Sequence, residues 1–340
     1  SKESCMIKKL LIAGFMCLLG VSPIFAGGES ESSAGSGVDG PIDIVATTGM
    51  IGDVVSNVAG EQGSVFVLMD DEVDPHLFRP TRSDVARMQQ ADMIFYNGLN
   101  LEGQMSDTLV QLARNRPVYA VTELVEQEAL LDYELDESNF DPHLWMDVSL
   151  WMEAVEQVVT AMSEFDPEGS DNYRSNADEY LSALEELHAY AREVIASIPA
   201  ERRIVVTAHD AFKYFGRAYG VDVVGVQGIS TESEAGLEDV NNLVDFVVEN
   251  QITAVFAETT VPDRALAAVI EGAASQGHEV TIGGELFSDA MGAAGTWEGT
   301  YFGMIDHNVT TIAEALGGSA PEEGFRGRLS SEYTLEFVEF

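Results

Sequence analysis

Residues 171–198, DNYRSNADEYLSALEELHAYAREVIASI, place Ala177, Leu181, Leu184, Leu187, Ala191, Val194 and Ile198 at spacings of three and four. That is one apolar stripe on a 3.6-residue helix, and Pro199 stops it. At ~1.5 Å per residue such a helix spans roughly 42 Å, enough to run along a whole lobe. It sits near the middle of a 340-residue chain, about twice the usual ~100–200-residue domain. On both sides of it the pattern changes to short apolar runs alternating with amphipathic stretches. Before it, strands are predicted at 42–48, 64–69, 93–97 and 118–121, with helices from Ile51, over 82–90 and over 102–114. A long acidic loop over 122–141 precedes a helix over 148–162. After it, strands are predicted at 204–207, 221–226, 254–257 and 279–282, each followed by a helix or turn. Strands alternating with helices of ~10–15 residues mean parallel sheets built from βα units. The expected fold is α/β: two lobes, each a mainly parallel sheet flanked by helices, joined by one long backbone helix. The boundaries are an N-terminal lobe 41–170, a linking helix 171–198 and a C-terminal lobe 199–340.

The charge is lopsided. Fifty-eight acidic residues against 17 basic give −41 and a pI near 4.1, while 46% hydrophobic residues provide for a sizeable core. A chain this acidic repels phosphate, which argues against nucleic acid and anionic lipid as partners. Lys8 and Lys9, the apolar run 10–19, the break at Ser22-Pro23 and the small Ala26 read as a secretory signal peptide over 1–26, with Met6 as the natural start. The Gly/Ser-rich stretch 27–40 reads as a tether. No other stretch approaches the ~20 uninterrupted apolar residues of a membrane span. The expected location is therefore exported: the periplasm, or the outer face of the cytoplasmic membrane. Cys17 is an alternative anchoring point as a lipidated first residue, although the bulky Gly14-Phe15-Met16 before it suits that poorly. Loss of 1–26 leaves 57 acidic and 14 basic residues, Lys213 as the one lysine, and no cysteine. Disulfides, thiolate metal sites and cysteine nucleophiles are then excluded. The surplus acid without lysine suits a salty exterior, where ions screen self-repulsion.

Two of the six histidines lie in a repeated pentapeptide, Asp74-Pro75-His76-Leu77-Phe78 and Asp141-Pro142-His143-Leu144-Trp145. Each copy is expected between a strand and a helix. Loops beyond the carboxyl ends of strands line the ligand crevice of open α/β sheets. Proline stiffens such a loop and holds the preceding Asp extended, which presents the His. A single histidine there is most often structural, but a duplicated one is not. His209, after the strand 204–207, is placed in the equivalent position of the second lobe, and Asp289 follows the strand near Val280. Three imidazoles and one carboxylate, two from each lobe, make a four-ligand site for a first-row divalent ion. Glu258, at the end of another strand, is the rival fourth ligand or an outer partner of a ligating histidine. His188, in the long helix, reads as a rim residue, and His278 falls in a turn. His307 is expected at a helix start, where Asp306-His307-Asn308 reads as capping chemistry rather than a metal site.

These loops, together with TAHDAFKYF (207–215), GISTESEAGL (228–237), ETTVPDR (258–264) and GGELFSDAMG (283–292), resemble the zinc/manganese substrate-binding proteins of metal ABC transporters, closest to the TroA-like branch. The resemblance covers 41–318. It implies a metal held between two lobes on a rigid helix, with His76, His143, His209 and Asp289 as ligands. It further implies capture of the ion outside the inner membrane and delivery to a membrane permease with its cytoplasmic ATPase, by a monomer. Three imidazoles favour Zn²⁺, and manganese-dedicated relatives place Glu where His209 stands here. Zinc-dedicated relatives often carry a His-rich loop near the first ligand, which this chain lacks. The expected ion is Zn²⁺ first and Mn²⁺ second. Two other functions compete. A zinc hydrolase would need an open coordination position, which Asp289 fills, and no H-E-x-x-H is present. A surface adhesin of the same fold would need an adhesive module, and everything after Gly40 is accounted for by the two lobes. The stretch 322–340, with alternation over 335–340, is expected to add a terminal edge strand.

Overall fold

The computed structural model describes residues 40–69, 71–133 and 139–329. The signal peptide, Cys17, nearly all of the tether and the alternating residues 335–340 lie outside the described residues. In chain order the first half comprises β1 (Ile42–Ala46), α1 (Gly49–Ala59), β2 (Gly63–Val67), α2 (Arg82–Gln90), β3 (Met93–Tyr96), α3 (Ser106–Leu112), β4 (Val118–Ala120) and α4 (Val148–Phe165). Then comes the long helix α5 (Ser170–Ala196). The second half comprises β5 (Ile204–Thr207), α6 (Lys213–Tyr219), β6 (Asp222–Gly225), α7 (Leu237–Glu249), β7 (Ala254–Glu258), α8 (Arg264–Ser275), β8 (Thr281–Leu286) and α9 (Tyr301–Ala315).

Both sheets are parallel throughout, and they share one topology. Their strand orders are β2-β1-β3-β4 and β6-β5-β7-β8. In each, the chain steps outward from the first strand in one direction and then returns to the other side. The crevice therefore falls beyond the carboxyl ends of β1 and β3, and of β5 and β7. The shared order shows that His209 is equivalent to the histidines of the first half only in standing at a strand's carboxyl end. It follows β5, the counterpart of β1, whereas His76 follows β2 and His143 lies beyond β4.

The stripe on α5 is buried as its period requires. Ala177, Leu184, Leu187, Ala191 and Val194 are joined by Tyr173, Tyr180, Ala183 and Ile195, while Leu181 is half-buried. The helix packs on α1 and α4 from the first half and on α9 from the second. One apolar core consequently runs from Ile42 through Trp151 and Leu187 to Phe302. Apolar burial contributes about 25 cal/mol per Å², so flexing the lobes about this helix works against the largest favourable term in folding. This is a stiff frame.

Two expectations are corrected. The strand placed at 279–282 is β8, Thr281–Leu286, and it runs through Gly283 and Gly284. Val255 pairs with Ile282 and Phe256 with Gly284, so Gly283 is a bulge. A Cβ at Gly284 would sit 2.3 Å from Thr311 Cγ2, so the glycines let α9 lie directly on the strand. The Gly-Gly pair looks like a turn in sequence, yet here it marks close packing. The strand therefore ends three residues before Asp289. His307 does not begin a helix; it lies inside α9, where its Nε2–H donates to Glu285 O at 2.9 Å. Within 322–329 the chain forms a short 3₁₀ turn, Phe325–Gly327, and the rest of the stretch expected as an edge strand lies outside the described residues.

Candidate metal centre

Four loops from four strand ends converge. In the first, Asp74 Oδ1 accepts the His76 backbone N–H at 2.9 Å, and in the second Asp141 Oδ1 accepts the His143 backbone N–H at 3.0 Å. The aspartate of each Asp-Pro-His thus closes a small turn that aims its histidine. In the third, Thr207 Oγ1 donates to His209 O at 2.7 Å directly beyond β5. In the fourth, the turn carrying Asp289 is clamped from α9. The Phe287 N–H donates to Asn308 Oδ1 at 2.9 Å, and Asn308 Nδ2 returns a bond to Phe287 O at 2.7 Å. Trp145 reaches across from the second Asp-Pro-His loop and donates its indole N–H to Ser288 O at 2.9 Å.

The structure brings together His76, His143, His209 and Asp289, all buried, with one donor atom of each within 4.8 Å of the others. His76 Nε2 and His143 Nε2 lie 3.2 Å apart. Asp289 faces the imidazoles with both oxygens. Oδ1 is 3.3 Å from His143 Nε2, and Oδ2 is 3.3 Å from His209 Nε2 and 3.6 Å from His76 Nε2. Despite these distances, His209 Nε2 and both Asp289 oxygens find no aligned hydrogen-bond partner. Buried polar atoms left without partners are costly, and a cation at their focus would satisfy all of them.

Behind this cluster stand two more carboxylates. His143 Nδ1 is 2.7 Å from Asp141 Oδ1, and His209 Nδ1 is 2.5 Å from Glu258 Oε2. A carboxylate oxygen accepts, so each Nδ1 carries a proton, and each Nε2 points inward, where it offers a lone pair once its own proton has left. Glu258 also accepts the His209 backbone N–H at 2.7 Å, which places it as an outer partner and not in the cluster. Burial disfavours the cationic forms of His143 and His209, but Asp141 with Asp289 in one case, and Glu258 with Asp289 in the other, outweigh it. His143 is held up at about 9 and His209 well above the usual imidazole range. Burial drives His76 down to about 3; Asp289 opposes this, but His76 has no outer carboxylate like Asp141 or Glu258, and His143 and His209 lower it further. Burial would raise Asp289, yet His209 and His143 outweigh it and hold the carboxyl well below the usual range.

The other histidines stay apart. His188 meets the Tyr219 hydroxyl at 3.3 Å, and His278 Nε2–H donates to Ile252 O at 2.6 Å. Asn308 and the cross-lobe role of Trp145 were not foreseen. The repeated motif hints at the second, since Trp145 stands where the other copy has Phe78 and alone offers a donor.

A buried cluster of three imidazoles and a carboxylate, assembled from two parallel sheets on a rigid helix, defines a metal-binding solute receptor. The comparisons specify it. The family model ZnuA, the periplasmic component A of a zinc-uptake complex, matches residues 44–315, and the chain belongs to that family. The manganese-binding lipoprotein MntA of Bacillus subtilis is 44% identical over 289 residues, 85% of this chain and 94% of that relative. The zinc-binding protein TroA of Treponema pallidum is 42% identical over 313 residues, 92% of this chain and 99% of that one. A solved structure of the periplasmic zinc-binding TroA superposes with a TM-score of 0.79, covering 82% of this chain and 99% of its own. Fe(III)-bound YtgA of Chlamydia trachomatis is 30% identical with a TM-score of 0.72, covering 82% and 99%. Membership makes this chain an extracytoplasmic substrate-binding component of a metal ABC transporter. It captures a divalent metal for a membrane permease, and its role is transport and not catalysis.

Proposed function

We propose that His76, His143, His209 and Asp289 coordinate the transported ion, Zn²⁺ in preference to Mn²⁺, and that the chain acts as a monomer handing it to a permease driven by a cytoplasmic ATPase. The observation that carries this reading is the spacing of the donors. Tetrahedral zinc with bonds of ~2.0–2.1 Å needs donor separations of roughly 3.3 Å, and four contacts of the cluster, those to Asp289 divided between its two oxygens, are 3.2, 3.3, 3.3 and 3.6 Å, with all four ligands inside 4.8 Å of one another. Three imidazoles suit Zn²⁺ more than Mn²⁺. Asp289, able to offer both oxygens, keeps Mn²⁺ close behind, and the relatives' own names divide between zinc and manganese. Competition of Zn²⁺ and Mn²⁺ for one metal-stripped sample should favour Zn²⁺. Tighter Mn²⁺ binding would reverse the order.

Glu258 supports His209 through two hydrogen bonds. Removing such an outer partner typically costs 10–100-fold in metal affinity. Glu258→Gln is therefore expected to weaken Zn²⁺ binding by roughly that factor. A chelator titration showing wild-type affinity would remove Glu258 from the site's support.

A further inference from the structure

The loop carrying GISTESEAG (228–236) contributes nothing to the metal cluster, yet it ties the two lobes together over it. Its base hangs on the strand end that presents His209. Val226 N–H donates to Thr207 O and Gln227 N–H to Ala208 O, both at 3.0 Å, and Asp210 N–H donates to Gly228 O at 3.4 Å. A Cβ at Gly225 would lie 2.6 Å from Asp210 N, so the two backbones run in direct contact. The tip of the loop crosses to the first lobe. Thr231 Oγ1–H donates to Asp74 Oδ2 at 2.6 Å, and Glu232 accepts from Gln104. Asp74 uses its other oxygen to hold the His76 backbone N–H. One hydroxyl, on a threonine only 8% exposed, thus completes a chain from the second lobe to the first histidine.

The two sides of the cluster are fastened differently. Around His143 the lobes are joined by buried bonds: Trp145 Nε1 to Ser288 O, Tyr301 OH to Trp145 O at 2.7 Å, and Tyr214 OH to Asp141 O at 2.9 Å. His143 and His209 are fully buried, whereas His76 retains 4% exposure. His76 also borders a 240 Å³ cavity whose walls include Asn100, Ser230 and Glu232. The ion's path to solvent with least to break therefore runs past His76 and under the loop.

We propose that Thr231 is a positioning residue for metal exchange: its hydroxyl latches the 228–236 loop to Asp74, restrains His76, and so sets how fast the ion leaves. This rests on the reading of His76 as a ligand. A short hydrogen bond to a carboxylate is among the stronger ones, so its loss should speed release by roughly tenfold. The test uses the full chain loaded with Zn²⁺ alone, with release driven by excess chelator and followed by stopped flow. Thr231→Val and Thr231→Ala should release about ten times faster, and Thr231→Ser, which keeps the hydroxyl, should match the wild type. Circular dichroism of the metal-free variants, measured alongside, should show the wild-type fold, with melting temperatures for Val and Ala only modestly below the wild type because the bond is also made without metal. Wild-type rates in the Val and Ala variants, or a Ser variant as fast as Val, would overturn the latch alone. A wild type that binds no Zn²⁺ would overturn the ligand reading and the latch with it.

Discussion

Replacing His209 by Ala is expected to weaken Zn²⁺ binding by roughly 10²–10³-fold, taking one ligand in four as its share of the ~10–16 kcal/mol of a structural zinc site. Two further costs act in the same direction. The ring is fully buried, so the variant leaves a void that the stiff frame closes poorly. Glu258, also buried, loses both the ring N–H it accepts at 2.5 Å and the cationic partner that favoured its burial. The metal-free variant should therefore also melt below the wild type. A chelator competition titration reads the affinity, with circular dichroism establishing that the variant is folded. A folded variant binding Zn²⁺ like the wild type would sink the ligand assignment.

Metal binding near neutral pH is expected to release about two protons per ion. Without metal, His143 and His209 are held in the cationic form by Asp141, Glu258 and Asp289, while His76 is neutral. With the proposed ligands, a divalent ion would need all three Nε2 lone pairs and would displace the protons on His143 and His209. Two unit charges leave and one double charge arrives, so the site's net charge is unchanged. That balance is met by a divalent ion and not by a monovalent one, which makes it a physical basis for selecting charge. Apparent affinity should then rise by about two decades per pH unit through the neutral range. The metal-free protein should respond in the opposite sense. Both folded-state imidazoles lie above the ordinary value of ~6.5, so their stabilising contribution is complete below that pH. It is lost as pH rises through about 9 for His143 and higher for His209. Metal-free melting temperature should accordingly fall between pH 7 and 9.5, while metal-loaded protein should not follow it. Calorimetry in buffers of different ionisation enthalpy counts the protons. A count near zero would refute this charge exchange.

Much of the fold is legible because its signals are local. The 3.6-residue stripe of 171–198 and the β-α alternation around it follow from backbone geometry that any short window reveals. Legibility fails where two elements press together. Gly283 and Gly284 look like a turn until α9 is laid against them, and only then does their lack of Cβ become the reason that β8 continues. His307 looks like a cap because Asp306 and Asn308 are cap-forming residues. In the fold both are buried on α9, Asp306 accepting from Trp297 and Phe325, and Asn308 clamping Phe287.

By itself, then, the sequence determined the two βα halves, the helix between them, and a short roster of imidazoles and carboxylates at strand ends. Tertiary structure decided the roles within that roster. Asp289 faces the three Nε2 atoms and Glu258 stands behind His209, although one follows β8 and the other ends β7 in the same sheet. It decided which nitrogen of each ring turns inward, and it recruited Trp145, Asn308 and Thr231, whose partners lie 143, 21 and 157 residues away. The physical reason is one of range. Periodicity and turn chemistry act over a few residues, whereas a hydrogen bond or a shared ion requires distances of about 3 Å that only sheet order and helix packing can impose.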